Sequence, residues 1–312
     1  HVVPAPRTDV WAWHTRPGAL TRLNAPFAFM TPVQQAQSLG DGTSILRLPG
    51  GLQWKAQHVL SRYQEGYSFS DECVNSPLRQ LTQWRHTHTF AEDPAGTRVT
   101  DEVDTRVPSA ALKSVFAYRQ HQLIEDFGFF KRLRDAGLNT QPLTIAMTGS
   151  RGSVGTALTA QLRTAGHTVI QLVRGKAGSG QRHWNTNLPD PHLLDGVDVL
   201  VHLAGEPIFG RFNEEHKAAI RDSRVGPTRS LARIAGETPS VKAMVCASAI
   251  GFYGANRGEE VLTEDSEPGE GFLADVVRQW EDACEPARAA GTRVVNIRTG
   301  IAMSGGSGLL PL

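Results

Sequence analysis

Apolar residues recur along this chain with two different periods. In the first half, alternate positions form four short runs: Trp54, Ala56, His58 and Leu60; Tyr67, Phe69, Asp71 and Cys73; Trp84, His86, His88 and Phe90; Val99, Asp101, Val103, Thr105 and Val107. A period of two is that of a half-buried strand. Turn formers separate the runs: Gln64-Glu65-Gly66, Asn75-Ser76-Pro77 and Asp93-Pro94-Ala95-Gly96. Pro6 to Leu23 reads as a helix broken at Pro17-Gly18, and Ser109 to Ala136 as one helix stopped by Gly137. An antiparallel sheet closed over a long helix leaves a cavity, and such cavities suit apolar ligands.

The second half alternates strand and helix. Leu143 to Thr148 is a short buried strand, followed by a helix with Val154, Leu158 and Leu162 on one face and Gly166 at its end. Strands are predicted at Thr168 to Arg174, Val197 to Ala204, Ala243 to Ser248 and Arg293 to Arg298, with helices at Asn213 to Ala235 and Gly271 to Ala290. This rhythm predicts a parallel sheet wound on both faces. A length of 312 residues suits two domains. The boundary falls in the polar linker Gly137-Leu138-Asn139-Thr140-Gln141-Pro142, giving domains 1–140 and 141–312.

The junction between the first strand of the second half and its helix carries the chemistry. Thr148-Gly149-Ser150-Arg151-Gly152-Ser153-Val154-Gly155 places glycines where a dinucleotide-binding turn needs them. Gly149 permits the tight turn, Gly152 lets the backbone approach a pyrophosphate, and Gly155 lets helix and strand pack closely. The helix start offers free N–H groups and a positive dipole to the phosphates. The fold class expected is therefore α/β, a Rossmann doubly wound parallel sheet. The next strand ends Leu172-Val173-Arg174, without the acid that would bind a ribose 2′-hydroxyl. With Arg151 inside the loop, the two guanidiniums favour the 2′-phosphate of NADP(H). The bland alternative is a pair of solvated arginines.

Charge narrows the partners. Lys and Arg number 32 against 31 Asp and Glu, which gives no electrostatic case for nucleic acid or an acidic membrane. No apolar run is long enough to span a bilayer. Cys73, Cys246 and Cys284 are scattered and odd in number, as expected of a reducing, cytoplasmic setting. His1-Val2-Val3-Pro4 has neither a signal-peptide pattern nor Met and reads as a trimmed start. His86 and His88 share a strand face, with His58 nearby. No metal is expected there, because two imidazoles want a third or fourth ligand. The plainer reading is hydrogen-bonded histidines in a cavity wall.

Two resemblances follow. Trp13-His14-x-Arg16-Pro17-Gly18-Ala19, Asp41-Gly42-Thr43, Phe69-x-Asp71-Glu72 and Trp84-x-His86-x-His88-x-Phe90 resemble the START-like (SRPBCC) helix-grip superfamily, which implies an α+β domain with an apolar cavity, though not a particular ligand. The span from Gly149 to Gly300 resembles extended short-chain dehydrogenase/reductases of the sugar-nucleotide-epimerase kind. Within them it is similar to an atypical epimerase-family, cell-division-inhibitor-like group. The matching stretches are Leu203-Ala204-Gly205-Glu206-Pro207-Ile208, Lys217-x-x-Ile220-Arg221-x-Ser223-Arg224-x-x-x-Thr228, Ser248-Ala249-x-Gly251-x-Tyr253-Gly254, Leu262-Thr263-Glu264-Asp265, Gly271-Phe272-Leu273-Ala274, Trp280-Glu281 and Arg298-Thr299-Gly300. The resemblance implies NADP(H) bound by Gly149, Ser150, Arg151, Gly152, Ser153, Val154, Gly155, Arg174, Leu203, Ala204, Gly205 and Ser248. It also implies a further strand and a substrate-covering segment past Leu312.

The superfamily's proton-transfer set is not matched. Its Tyr-x-x-x-Lys pair falls on Leu273 and Val277, and its Ser or Thr on Ala249. Replacements at strand ends are Ser248, Tyr253 and Arg224, followed by Glu206 and Glu264. Each has a bland reading as a packed turn aromatic, a helix-packing arginine or a surface acid. Three functions stay open: an NADP-dependent oxidoreductase acting on an undefined small molecule, an NADP(H)-binding sensor without catalysis, and a START-like carrier of an apolar ligand. Nothing in the sequence sets an oligomeric state.

Overall fold

The alternation of the first half becomes one antiparallel sheet. The computed structural model describes residues 1–138, 141–304 and 307–308. Asn139 and Thr140 of the expected linker, and 309–312 at the end of the second domain, lie outside the described residues. The chain divides into two compact units, one built mainly from His1–Gln141 and the other mainly from Pro142–Leu158 and His167–Met303.

The first unit contains β1 (Val2–Val3), α1 (Arg7–Thr15), α2 (Ala19–Leu23), β2 (Thr31–Gln34), β3 (Thr43–Arg47), β4 (Gln53–His58), β5 (Ser68–Cys73), α3 (Leu78–Thr82), β6 (Arg85–Asp93), β7 (Gly96–Asp104) and α4 (Ser109–Asp135). Its seven strands run in the order β1-β7-β6-β5-β4-β3-β2. Trp11, Trp13, Phe69, Phe90, Leu123 and Phe127 form its core, drawn from α1, the sheet and α4. The helix break at Pro17-Gly18 falls as the sequence predicts, with Gly18 at φ 101°. β2 and β3 were not foreseen. β3 buries Ser44 as well as Leu46, so its inward face shows no apolar alternation.

The second half of the chain contains β8 (Thr144–Thr148), α5 (Ser153–Thr164), β9 (Thr168–Val173), β10 (Gln181–His183), β11 (Val199–His202), α6 (Glu214–Asp222), α7 (Val225–Glu237), β12 (Ala243–Ala249), α8 (Phe272–Asp282), α9 (Glu285–Ala289) and β13 (Arg293–Thr299). All six strands are parallel, in the order β10-β9-β8-β11-β12-β13. The chain builds outward from β8 to β10, then returns to the other side of β8 with β11. The order therefore reverses between β8 and β11, and a doubly wound sheet opens a crevice at that point beyond the strands' carboxyl ends. Leu172, Trp184, Leu194, Leu200, Leu231 and Met244 anchor the core beneath it.

Three expectations are corrected. The helix expected from Asn213 to Ala235 is two, parted at Ser223-Arg224, and the one expected from Gly271 to Ala290 is parted at Ala283-Cys284. The buried positions of α5 are Gly155, Thr159, Ala160 and Thr164, while Val154 is half exposed at the helix start. At its start α5 lies against its own preceding loop, which excludes a side chain at Gly155: a Cβ there would sit 2.2 Å from the Gly149 carbonyl oxygen. Among the described residues, no helix is long and apolar enough to cross a membrane.

Candidate functional site

The glycine loop spans the crevice between β8 and β11. Gly149 takes φ 66°, in the left-handed region open to glycine. A side chain there would also strike the Leu203 carbonyl 2.7 Å away and the Ala204 nitrogen 2.9 Å away. Leu203 and Ala204 therefore hold the loop from the β11 side, and Gly205 follows them exposed to solvent. Gly152 N–H donates to the Gly149 carbonyl at 3.0 Å, and helical bonding begins with Thr156 N–H to the Gly152 carbonyl at 2.9 Å. The amides of Ser153, Val154 and Gly155 thus form a first turn that has no intrahelical acceptors. A Cβ on Gly152 would meet only the Gly149 oxygen, at 3.3 Å, and otherwise open space. The loop is a cradle that a side chain would fill, and it fits a pyrophosphate.

Beneath the cradle lies a buried polar relay. Leu203 N–H and Ala204 N–H donate to Thr148 Oγ1 at 3.1 and 3.2 Å. The hydroxyl proton of Thr148 is left for His202 Nδ1, 2.7 Å away. That assigns the imidazole proton to Nε2, which donates to Thr228 Oγ1 at 2.9 Å. Trp280 Nε1–H donates to the same oxygen at 3.0 Å. Burial, reinforced by the charge of Arg224, pushes the His202 pKa down to about 4 from 6.5. The sign of the pH effect follows. The unfolded chain takes up this proton near pH 6.5 and the folded one only near pH 4, so stability from His202 is complete above pH 6.5 and drains away as pH falls to about 4. The full effect is about 3 kcal/mol. Denaturant unfolding across that window should show a shallower decline for His202→Gln than for the wild-type chain, and equal slopes would refute the relay's neutrality.

A second network joins β12, α8 and β13. Ser248 Oγ donates to Glu281 Oε1 at 2.5 Å, and Arg298 grips both Glu281 oxygens through Nε and an Nη, each at 2.9 Å. The other Nη of Arg298 donates to Tyr253 Oη at 3.0 Å and to the Glu264 carbonyl at 3.1 Å. The guanidinium also lies 3.5 Å over the Phe252 ring. Burial works to raise the Glu281 pKa, yet Arg298 and Ser248 hold it below the usual range, and Glu281 in turn raises that of Arg298.

The catalytic candidates are distributed as follows. Ser248, buried at the end of β12, has its hydroxyl committed to Glu281. Tyr253 sits on the turn after β12 with Arg298 at its oxygen. Arg224 binds the carbonyls of Ile220 and Glu206 at 3.0 and 2.9 Å and packs its guanidinium 5.1 Å over Trp280, clasping the Gly205-Glu206 loop. Burial lowers its pKa. Lys217 pairs with Glu214 at 2.9 Å. Leu273 and Val277 flank Gly251, whose added Cβ would meet them at 3.7 and 3.9 Å, so the turn beside β12 faces hydrocarbon instead of a phenol and an amine. Arg151 and Arg174 are exposed and make no hydrogen bond or ion pair among the described residues.

Sequence reasoning missed Thr148, His202, Thr228, Glu281 and Arg298 as a supporting set. Glu281 and Arg298 lay in quoted motifs, but only the fold brings them together.

The comparisons agree with this geometry. The family described as "NAD dependent epimerase/dehydratase family" matches residues 145–304. The chain belongs to that family. A crystal structure described as the nucleoside-diphosphate sugar epimerase from Corynebacterium glutamicum is 52% identical with a TM-score of 0.92, covering 100% of this chain and 67% of that one. Epimerase family protein Mb2239 of Mycobacterium bovis is 42% identical over 170 residues, 53% of this chain and 56% of that protein. Epimerase family protein YfhF of Bacillus subtilis is 37% identical over 178 residues, 54% of this chain and 58% of that protein. The chain thus spans somewhat over half the length of these curated relatives. Membership in an NAD-dependent epimerase family accounts for a crevice built around a glycine cradle.

The first unit holds a separate cavity of about 320 Å³, walled by Leu23, Leu46, Trp54, Trp84, Val115 and Phe116, with Asp71, His86, His88 and Arg119 among its polar lining.

Proposed function

We propose that this chain is an NADP(H)-binding, epimerase-type short-chain oxidoreductase. The observation that carries the proposal is the Gly152 cradle, together with two exposed guanidiniums, Arg151 in the loop and Arg174 after β9, that have no partner among the described residues. Gly149, Ser150, Gly152, Ser153, Val154 and Gly155 would hold the pyrophosphate, Leu203, Ala204 and Gly205 would border the cofactor across the crevice, and the two arginines would take a 2′-phosphate. A bound nicotinamide supplies or accepts a hydride. Ser248 supports the crevice from beneath through Glu281 instead of touching substrate.

Proton exchange then falls to Tyr253. Arg298, 3.0 Å from the phenol oxygen, sets a fixed cation beside it, as a lysine does in the usual pair. Arg224 orders the loop from Gly205 to Glu206. The first unit supports a START-like reading: a sheet, a long helix and an apolar cavity suited to a substrate, product or regulatory lipid.

The test is a screen of the chain with NADPH against carbonyl and enone substrates. Turnover on part of the panel, reduced about 100-fold or more by Tyr253→Phe with NADPH affinity unchanged, is expected. Tight NADPH binding with no turnover on a broad panel would favour the sensor function, consistent with hydrocarbon at Leu273 and Val277.

A further inference from the structure

The polar end of the first unit's cavity is arranged around two carboxylates and two imidazoles. His86 Nε2 and His88 Nδ1 both lie 2.9 Å from the same Asp101 oxygen, Oδ1. A carboxylate can only accept, so both nitrogens donate to it, and in each neutral ring the remaining nitrogen presents a lone pair: Nδ1 of His86 and Nε2 of His88. His86 Nδ1 faces Asp71 Oδ2 at 3.6 Å. In this nearly dry site, with side chains 6% and 14% exposed, a metal ion between that nitrogen and that oxygen would satisfy both at once. One nitrogen from each imidazole and one oxygen of Asp71 all lie within 4.8 Å of one another.

We infer that Asp71, His86 and His88 bind a first-row divalent transition-metal ion at the floor of the cavity, with Asp101 behind the histidines as the group that orients them. Two imidazoles and a carboxylate are a donor set for such ions, and three protein ligands leave a position open toward the cavity. A carboxylate that fixes imidazole tautomers from behind is the usual outer partner of metal-bound histidines. The charges allow it. With neutral imidazoles, Asp71 and Asp101 against Arg119 leave a net charge of −1, which a divalent ion turns to +1. An oxygen donor on the cavity's occupant would complete both the coordination and the charge. His14, whose Nδ1 donates to the Val10 carbonyl at 2.7 Å, is not among the donor groups that lie within 4.8 Å of one another. The sequence placed His58 near this pair and predicted no metal, whereas the register places Asp71 directly opposite His86. This inference stands on the first unit alone and is independent of the dinucleotide reading.

The experiment is titration of the chelator-treated chain with Co²⁺, followed by visible d–d absorption and by calorimetry. One ion per chain is expected. Asp71→Asn should weaken affinity about 100-fold, and Asp101→Asn about 10- to 100-fold by releasing the rings. Far-UV circular dichroism and NADPH titration of the same preparations show whether each variant is folded. Absence of stoichiometric binding by the wild-type chain would overturn the inference, as would Co²⁺ affinity unchanged in folded Asp71→Asn and His88→Gln, since the ion would then sit elsewhere.

Discussion

Glu281→Ala should destabilise the chain by about 2–4 kcal/mol, the cost of leaving one partner of a largely buried ion pair alone. Glu281 and Arg298 have side chains 13% and 18% exposed and meet through two hydrogen bonds. Removing the carboxylate strands the guanidinium among Phe252, Tyr253 and the Glu264 carbonyl, and it takes from the buried Ser248 hydroxyl its acceptor among the described residues. Glu281→Gln keeps the shape and an acceptor while losing the charge, so it should fall between the alanine variant and wild type. Ser248→Ala removes one neutral donor and should cost about 1 kcal/mol. Urea unfolding of the four proteins checks the order. An alanine variant within about 0.5 kcal/mol of wild type, the range of an ordinary surface substitution, would mean the network holds nothing together.

Gly155→Ala should remove dinucleotide binding and destabilise the second unit, whereas a substitution three residues earlier should remove binding alone. The added methyl at Gly155 would fall 2.2 Å from the Gly149 oxygen and 2.8 Å from the Ser150 Cα, both backbone atoms that cannot step aside. Either α5 or the loop must move, at a cost of about 1–3 kcal/mol, the range for overpacking a close contact. Movement of that size takes the amides of the first helical turn off the phosphate position. Gly152 differs because its added Cβ meets little else than one oxygen at 3.3 Å. A valine there leaves the fold intact and blocks the cradle. Thermal unfolding of both variants separates the two effects: the midpoint should fall for Gly155→Ala and stay near wild type for Gly152→Val.

What the sequence disclosed follows from which signals are local. The strand, glycine loop and helix of β8 and α5 are contiguous, so spacing alone revealed them. The alternating runs of β4 to β7 were legible because one face of each is apolar or aromatic. β10, with Gln181, Arg182 and His183, has no such face and lies at a sheet edge, so no period marked it. The break at Ser223-Arg224 was hidden because apolar spacing continues across it. It occurs where Arg224 turns to clasp the Glu206 carbonyl, a partner 18 residues away. His202 sat unremarked in a buried strand because a single polar residue means little until Thr148 and Thr228 are known to flank it. The cluster of Asp71, His86 and His88 was half legible: the face shared by His86 and His88 was plain, but Asp71 joins them only through the pairing of β5 with β6.

The Gly152 cradle fits a pyrophosphate, while the turn after β12 lacks the usual phenol and amine. The most direct test is calorimetric titration of NADPH and NADH into the wild-type chain and Gly152→Val. Wild type should bind NADPH about tenfold or more tighter than NADH, the worth of a charge-assisted pair from Arg151 or Arg174, and the folded valine variant should bind neither. Equal affinity for the two cofactors would contradict the assignment of the arginines. Undiminished binding by Gly152→Val would contradict the cradle itself.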